Sequence, residues 1–153
     1  MNSPFYEVTN GNLLISTNSA LLDISVIHNY LSQESYWAKN IQLATVEKSI
    51  KHSLCFGVYD GTIQIGFARV ITDYTAFAYL CDVFIIEAYR GKGLSKWLMQ
   101  SIHAHSELQG LRRWLLVTKD AYGLYAQFGW QTLPEDICKR FMQIHNANGY
   151  PKV

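Results

Sequence analysis

The chain has 153 residues, 49% of them apolar and 16% charged, which suits one globular domain over 1–153 and excludes a disordered chain. With 13 basic and 12 acidic side chains the formal net charge is +1, so there is no excess of positive charge to bind nucleic acid or anionic membrane in general. Any cationic site must be local.

The three cysteines, Cys55, Cys81 and Cys138, are odd in number and scattered, which fits neither a disulfide framework nor metal-ligand spacing. No basic stretch followed by an apolar core opens the sequence. The longest nearly apolar run, residues 76–86, is shorter than the roughly 20 residues of a membrane span, and Asp82 interrupts it. These patterns predict a cytoplasmic protein with no metal, no nucleic-acid partner and no membrane anchor.

In chain order, Asn10-Gly11 is a turn signal and Asn12 to Ser16 reads as a first strand. Asp23 caps a helix with Ile24, Ile27 and Leu31 at helical spacing. Residues 32–42 are polar around the adjacent Tyr36 and Trp37, and predict a loop or short helix. A second helix begins near Thr45, with Val46 and Ile50 on one face. Ser53 to Tyr59 and Thr62 to Thr72 are strands joined by the hairpin signal Asp60-Gly61. Ala76 to Ile86, apolar on both faces, is the fourth strand.

Leu94, Trp97, Leu98 and Ile102 then recur at helical spacing. Arg113 to Thr118 is a fifth strand, and Ala121 to Phe128 a helix that Gly129 stops. Trp130 to Leu133 and Arg140 to Ile144 read as two last strands. The fold class is therefore α/β (α+β), a mixed sheet whose hairpin-rich first half leads into one β-α-β unit.

Between the fourth strand and its helix stands Tyr89-Arg90-Gly91-Lys92-Gly93-Leu94-Ser95-Lys96. A nucleoside-triphosphate loop needs a glycine where Ile86 stands and Ser or Thr where Gly93 stands. A dinucleotide loop needs a third glycine at Lys96. Both readings fail. A helix N-terminus with free N–H groups, two glycines and the charges of Arg90, Lys92 and Lys96 remains, which is an anion site suited to a pyrophosphate. An ordinary glycine turn with solvated basic residues is the alternative.

The stretch from Val83 to Ser95 resembles the coenzyme A signature of the GNAT superfamily of N-acetyltransferases, with Arg90, Gly93 and Ser95 at its marked positions. Ser95 stands where a small apolar residue is usual. Downstream, Leu124-Tyr125-Ala126-Gln127-Phe128-Gly129-Trp130 is similar to the family's "Tyr, two residues, Phe-Gly-Phe" motif, with Trp130 as the last aromatic. The two motifs and the element order extend the resemblance over most of residues 11–145.

This resemblance implies a twisted, mostly antiparallel sheet of six to seven strands, with helices on both faces and a splay between the fourth and fifth strands. It implies acetyl-CoA as cosubstrate. The pyrophosphate would rest on Gly91, Lys92, Gly93, Leu94, Ser95 and Lys96 beside Arg90. The pantetheine arm would run along Cys81, Val83, Phe84 and Ile85, with a backbone N–H of Cys81 or Val83 polarising the thioester. Tyr125 occupies the general-acid position, with Tyr122 as runner-up.

No base declares itself. Asp82, a carboxylate in an apolar strand, is either paired or a base or water-holder. Glu34, His28 and His52 are weaker candidates, and a water chain is the default. The acceptor would lie between residues 28–42 and 131–150, against Glu34, Tyr36 and Trp37. The expected partner is a small-molecule primary amine. A protein or peptide N-acetyltransferase, an acetyl-CoA sensor without turnover and a structural α/β module are the rivals. A homodimer stays open.

Overall fold

The computed structural model describes residues 3–146 and 148–150, and among them six strands form one sheet in chain order. They are β1 (Glu7–Asn10), β2 (Leu13–Ser16), β3 (Leu54–Asp60), β4 (Ile63–Thr72), β5 (Phe77–Ile85) and β6 (Arg113–Leu115). Every neighbouring pair is antiparallel except β5 and β6, which are parallel. The sheet is thus the mixed, mostly antiparallel one expected. The Asn10-Gly11 turn closes a hairpin, so a strand precedes the first one read from sequence. The expected fourth and fifth strands are accordingly β5 and β6.

Among the described residues five α-helices flank the sheet: α1 (Ile24–Asn29), α2 (Leu43–Lys51), α3 (Leu94–Ala104), α4 (Tyr122–Ala126) and α5 (Glu135–Cys138). On one face Leu94, Leu98, Met99 and Ile102 of α3 pack on Phe56, Val58, Ala68 and Val70. On the other, Ile27, Leu31 and Val46 cover Cys55, Phe67 and Phe84. This double cover explains why β3 to β5 are apolar on both faces. Each large side chain so buried contributes about 1.5–3 kcal/mol.

The Asp23 carboxylate caps α1 as expected, accepting from Val26 N–H at 3.1 Å. α1 then widens into one turn of π-helix, Tyr30–Glu34, closed by Ser35 N–H to Tyr30 C=O at 2.9 Å. The Ser32 and Ser35 hydroxyls donate back to the carbonyls of His28 and Leu31, which holds the turn without an apolar periodicity for sequence to display.

The two last strands expected at Trp130–Leu133 and Arg140–Ile144 are not strands. Gly129, at φ 86°, ends the α4 region with Trp130 N–H returning to Tyr125 C=O, and Pro134 then starts α5. Met142 and Ile144 are fully exposed, so the alternation at 140–144 faces solvent rather than a sheet.

Two irregularities set the course of β5. It pairs with β6 only from Phe77↔Arg113 to Tyr79↔Leu115, beyond which the strands part in the expected splay. It also carries a bulge: the register passes from Arg69↔Cys81 to Phe67↔Phe84, leaving Asp82 and Val83 opposite Ala68 alone. Asp82 sits there at φ 54°, a conformation that costs a non-glycine residue about 1–2 kcal/mol.

Candidate active site

Beyond β5 the chain makes one 3-10 turn, Glu87–Tyr89, and reaches Gly91 and Gly93, each at φ 77°. A Cβ on Gly93 would meet nothing within 4 Å, so the left-handed backbone, not crowding within the chain, calls for glycine. No side chain caps α3, and its first backbone bond runs from Trp97 N–H to Gly93 C=O at 3.1 Å. The N–H groups of Leu94, Ser95 and Lys96 are left without helical acceptors, at the positive end of an 11-residue helix. They border a recess of about 330 Å³ lined by Arg90, Gly91, Gly93, Ser95, Lys96 and Gln127 among others.

Arg90 does not reach freely into this recess. Its Nε donates to Ile85 C=O at 3.0 Å and its Nη2 to the Tyr30 hydroxyl at 2.9 Å. Tyr30 in turn stacks on Phe84, centroids 3.9 Å apart and planes 9° apart. Arg90 therefore braces the end of β5 against the π turn. Lys92 lies over the Tyr89 ring, 4.9 Å from its centroid, and lines no part of the recess.

A cleft of about 890 Å³ continues from the recess, sharing Ile85, Arg90, Ser95 and Leu124 with it. It follows the splay, with Cys81, Asp82, Val83 and Phe84 of β5 along it and residues 116–121 opposite. Tyr125 lines the cleft, whereas Tyr122 is 55% exposed and does not. Burial, with the nearby Tyr36 and Asp120 adding to it, pushes the Tyr125 phenol up to about 12, so it keeps its proton at any working pH. Burial likewise pushes the Cys81 thiol up to about 12, leaving no ready thiolate nucleophile.

At the far end stand Glu34, Tyr36 and Trp37, joined by Tyr79, His145 and Tyr150. Tyr36 and Trp37 meet edge to face at 5.0 Å. The Tyr36 hydroxyl accepts from Lys119 N–H at 2.9 Å, and the Lys119 ammonium lies 5.6 Å from the same ring. Asp82 is buried and doubly held, by Arg69 Nε at 2.8 Å and Trp37 Nε1 at 2.9 Å.

Against known proteins, the acetyltransferase (GNAT) family model matches residues 24–130. The chain belongs to the GNAT family of acetyltransferases. A relative from Gibberella zeae that carries an acetyltransferase name is 33% identical, with 78% of each chain covered. A solved GNAT-family structure from Xanthomonas campestris pv. campestris is 50% identical, with a TM-score of 0.84 over 88% of this chain and 93% of that one. A GNAT acetyltransferase from Elizabethkingia anophelis, solved with acetyl-CoA bound, shares the fold at a TM-score of 0.61 and 11% identity, with 92% of each chain covered.

Within this GNAT fold, the residues read from sequence fall along one continuous trough, apart from Lys92. The histidines do not join them. The His28 ring bonds Ile41 C=O at 3.0 Å, and His52 is exposed at the C-terminal end of α2. Sequence reasoning missed Arg69 and Tyr79, and it named the segment 131–150 without singling out Gln143, His145 and Tyr150. Arg69 had a signal, being a lone charge in an apolar strand one hairpin away from Asp82. The residues near the C-terminal end had none, because irregular chain carries no periodicity. Among the described residues no helix is long and apolar enough to cross a membrane, and no group of His, Cys, Asp and Glu is arranged to hold a metal ion.

Proposed function

We propose that this chain transfers an acetyl group from acetyl-CoA directly to the primary amine of a small molecule. The observation that carries the reading is the continuity of the trough, from the uncapped N-terminus of α3, through the splay, to Tyr125 and the aromatic end. The recess fits the donor: N–H groups without acceptors, glycines at positive φ and Lys96 suit a pyrophosphate. The bound acetyl-CoA of the Elizabethkingia neighbour supports the same choice.

When bound, acetyl-CoA supplies an activated thioester. The chain's own groups do the rest. Main-chain N–H groups of β5, from Cys81 or Val83, stabilise the negative charge that develops on the carbonyl oxygen. The Tyr125 hydroxyl holds a proton for the departing sulfur, whose thiol has a pKa of about 8.5. The proton lost by the attacking amine passes to water at the mouth of the cleft, since both oxygens of Asp82 are already engaged. The protonated Cys81 thiol favours direct transfer over an acyl-cysteine route. Aromatic rings and the exposed Glu34 suit an ammonium-bearing acceptor, and walls from Glu34, Tyr36 and Trp37, from residues 79–83, and from Gln143, His145 and Tyr150 suit a compact one.

The test is calorimetry with acetyl-CoA followed by a thiol-release screen over small amines, polyamines, amino acids, aminoglycosides and peptide N-termini. Turnover on a small amine is expected. Binding without turnover on any acceptor would make the chain a sensor, and turnover on peptides alone would overturn the small-molecule reading.

A further inference from the structure

Asp82 combines three constraints. It sits at φ 54°, where residues with a Cβ are strained. It belongs to the β5 bulge, just past Tyr79↔Leu115, the last β5–β6 pair. Its carboxylate is buried, with its two oxygens held from two different parts of the chain. Arg69 Nε donates to Oδ2 at 2.8 Å from β4, and Trp37 Nε1 donates to Oδ1 at 2.9 Å from the segment after the π turn.

Arg69 is itself anchored. Its Nη1 donates to the Ser53 hydroxyl at 3.1 Å, and that hydroxyl donates to Ser49 C=O at 2.7 Å in α2. The clamp thus runs from α2 through β4 to the bulge, and across to the aromatic segment at the acceptor end. A bulge bends and twists its strand, so whatever holds Asp82 holds the angle at which the β5 main chain meets the cleft. A charged pair this enclosed is costly to desolvate and is weak evidence of a gain in stability, which points to a role in geometry.

We propose that Arg69 and Trp37 are positioning residues for acetyl transfer: through the Asp82 carboxylate they lock the left-handed bulge that presents the Cys81–Val83 main chain to the thioester carbonyl. The role rests on the proposed acetyl-CoA reaction. Asp82 is then a strut rather than a base, and Trp37 ties the acceptor end to the donor end.

The test needs no acceptor. Acetyl-CoA carrying ¹³C at the carbonyl is bound to the full chain, and the isotope-edited infrared stretch of that carbonyl is compared with the free value, alongside calorimetric affinity. In the wild type the stretch is expected to be lowered by N–H donation. Asp82→Gly adopts φ 54° without strain but leaves Arg69 unpaired, so circular dichroism of the variant and of the double variant, which carries no unpaired charge, confirms the fold while the clamp is lost. In Asp82→Gly and in Arg69→Met the stretch should return most of the way to the free value, with affinity changed by no more than about threefold. Trp37→Phe, which keeps the ring and loses the N–H, should give a smaller return. The double variant Arg69→Met/Asp82→Gly should go no further than Asp82→Gly alone, because both break one device. A stretch that stays lowered in the variants, or additive effects in the double variant, would overturn the clamp alone. No acetyl-CoA binding by the wild type would overturn the proposed reaction, and the clamp with it.

Discussion

The indole N–H of Trp130 donates to Nε2 of His103 at 2.9 Å, joining the turn after α4 to the flank of α3. His103 must be neutral to accept, with its proton on Nδ1. It is packed against Trp114 and Phe128 as well, and burial holds its pKa below the ordinary imidazole value. His105 is lowered in the same way, with the Glu107 charge opposing. Since both native pKa values lie under the unfolded value of about 6.5, the unfolded chain binds more protons in that interval. Stability is whole above about pH 6.5 and drains away as pH falls toward the native values. Urea midpoints should therefore drop between about pH 7 and 5, and His103→Gln, a neutral acceptor throughout, should flatten the slope. A slope unaltered by His103→Gln would mean that His103 titrates alike in both states.

Tyr125→Phe keeps the ring against Trp130, 6.1 Å between centroids, and removes only the hydroxyl. Turnover should fall by about 10²-fold or more, with acetyl-CoA affinity nearly unchanged. Steady-state kinetics on any acceptor found by the screen, with calorimetry beside it, checks both halves. Tyr122→Phe, outside the cleft lining, should leave both alone.

Gly93 at φ 77° separates backbone cost from cofactor loss. A Cβ there meets no neighbour, so Gly93→Ala should destabilise by about 1–2 kcal/mol through conformation alone. Gly93→Glu adds a carboxylate at the anion recess and should abolish the calorimetric heat of acetyl-CoA binding. Retained heat in that variant would move the pyrophosphate elsewhere.

Tyr59 is 3% exposed and its hydroxyl has no hydrogen-bond partner among the described residues. Burial raises its pKa accordingly. Tyr59→Phe removes the unmet hydroxyl and should raise unfolding stability by about 1 kcal/mol. Its neighbour works in the opposite sense: a Cβ on Gly57 would fall within the Tyr59 phenol, so Gly57→Ala should cost about 1–3 kcal/mol. Denaturant titration of both variants is the check.

The glycine turn and the uncapped start of α3 were legible because their requirements are local. A strand, two glycines and an uncapped helix lie within about 20 residues of chain, and their chemistry is mostly main-chain. The far end of the cleft was legible only in part. Tyr36 and Trp37 stood out as adjacent aromatics, but the partner that Trp37 finds, Asp82, is 45 residues away. The two strands expected after Gly129 failed because alternation reports a pleated surface only where a neighbouring strand exists to pair with. At 140–144 it does not, and Met142 and Ile144 face water.

By itself, the sequence determined the element order from β2 to α4, the apolar run of β5 and the glycine turn from Tyr89 to Lys96 that leads into α3. Periodicity, glycine and helix-end chemistry act over short stretches, so they can be read from one chain. Only the tertiary structure shows what Arg90 and Asp82 touch. Sequence offered the first as a cofactor charge and the second as a base or a paired carboxylate. Their partners, Tyr30, Arg69 and Trp37, reach them only through the sheet register and the packing of the π turn. A buried charge takes its role from whatever donors the fold brings within hydrogen-bond distance.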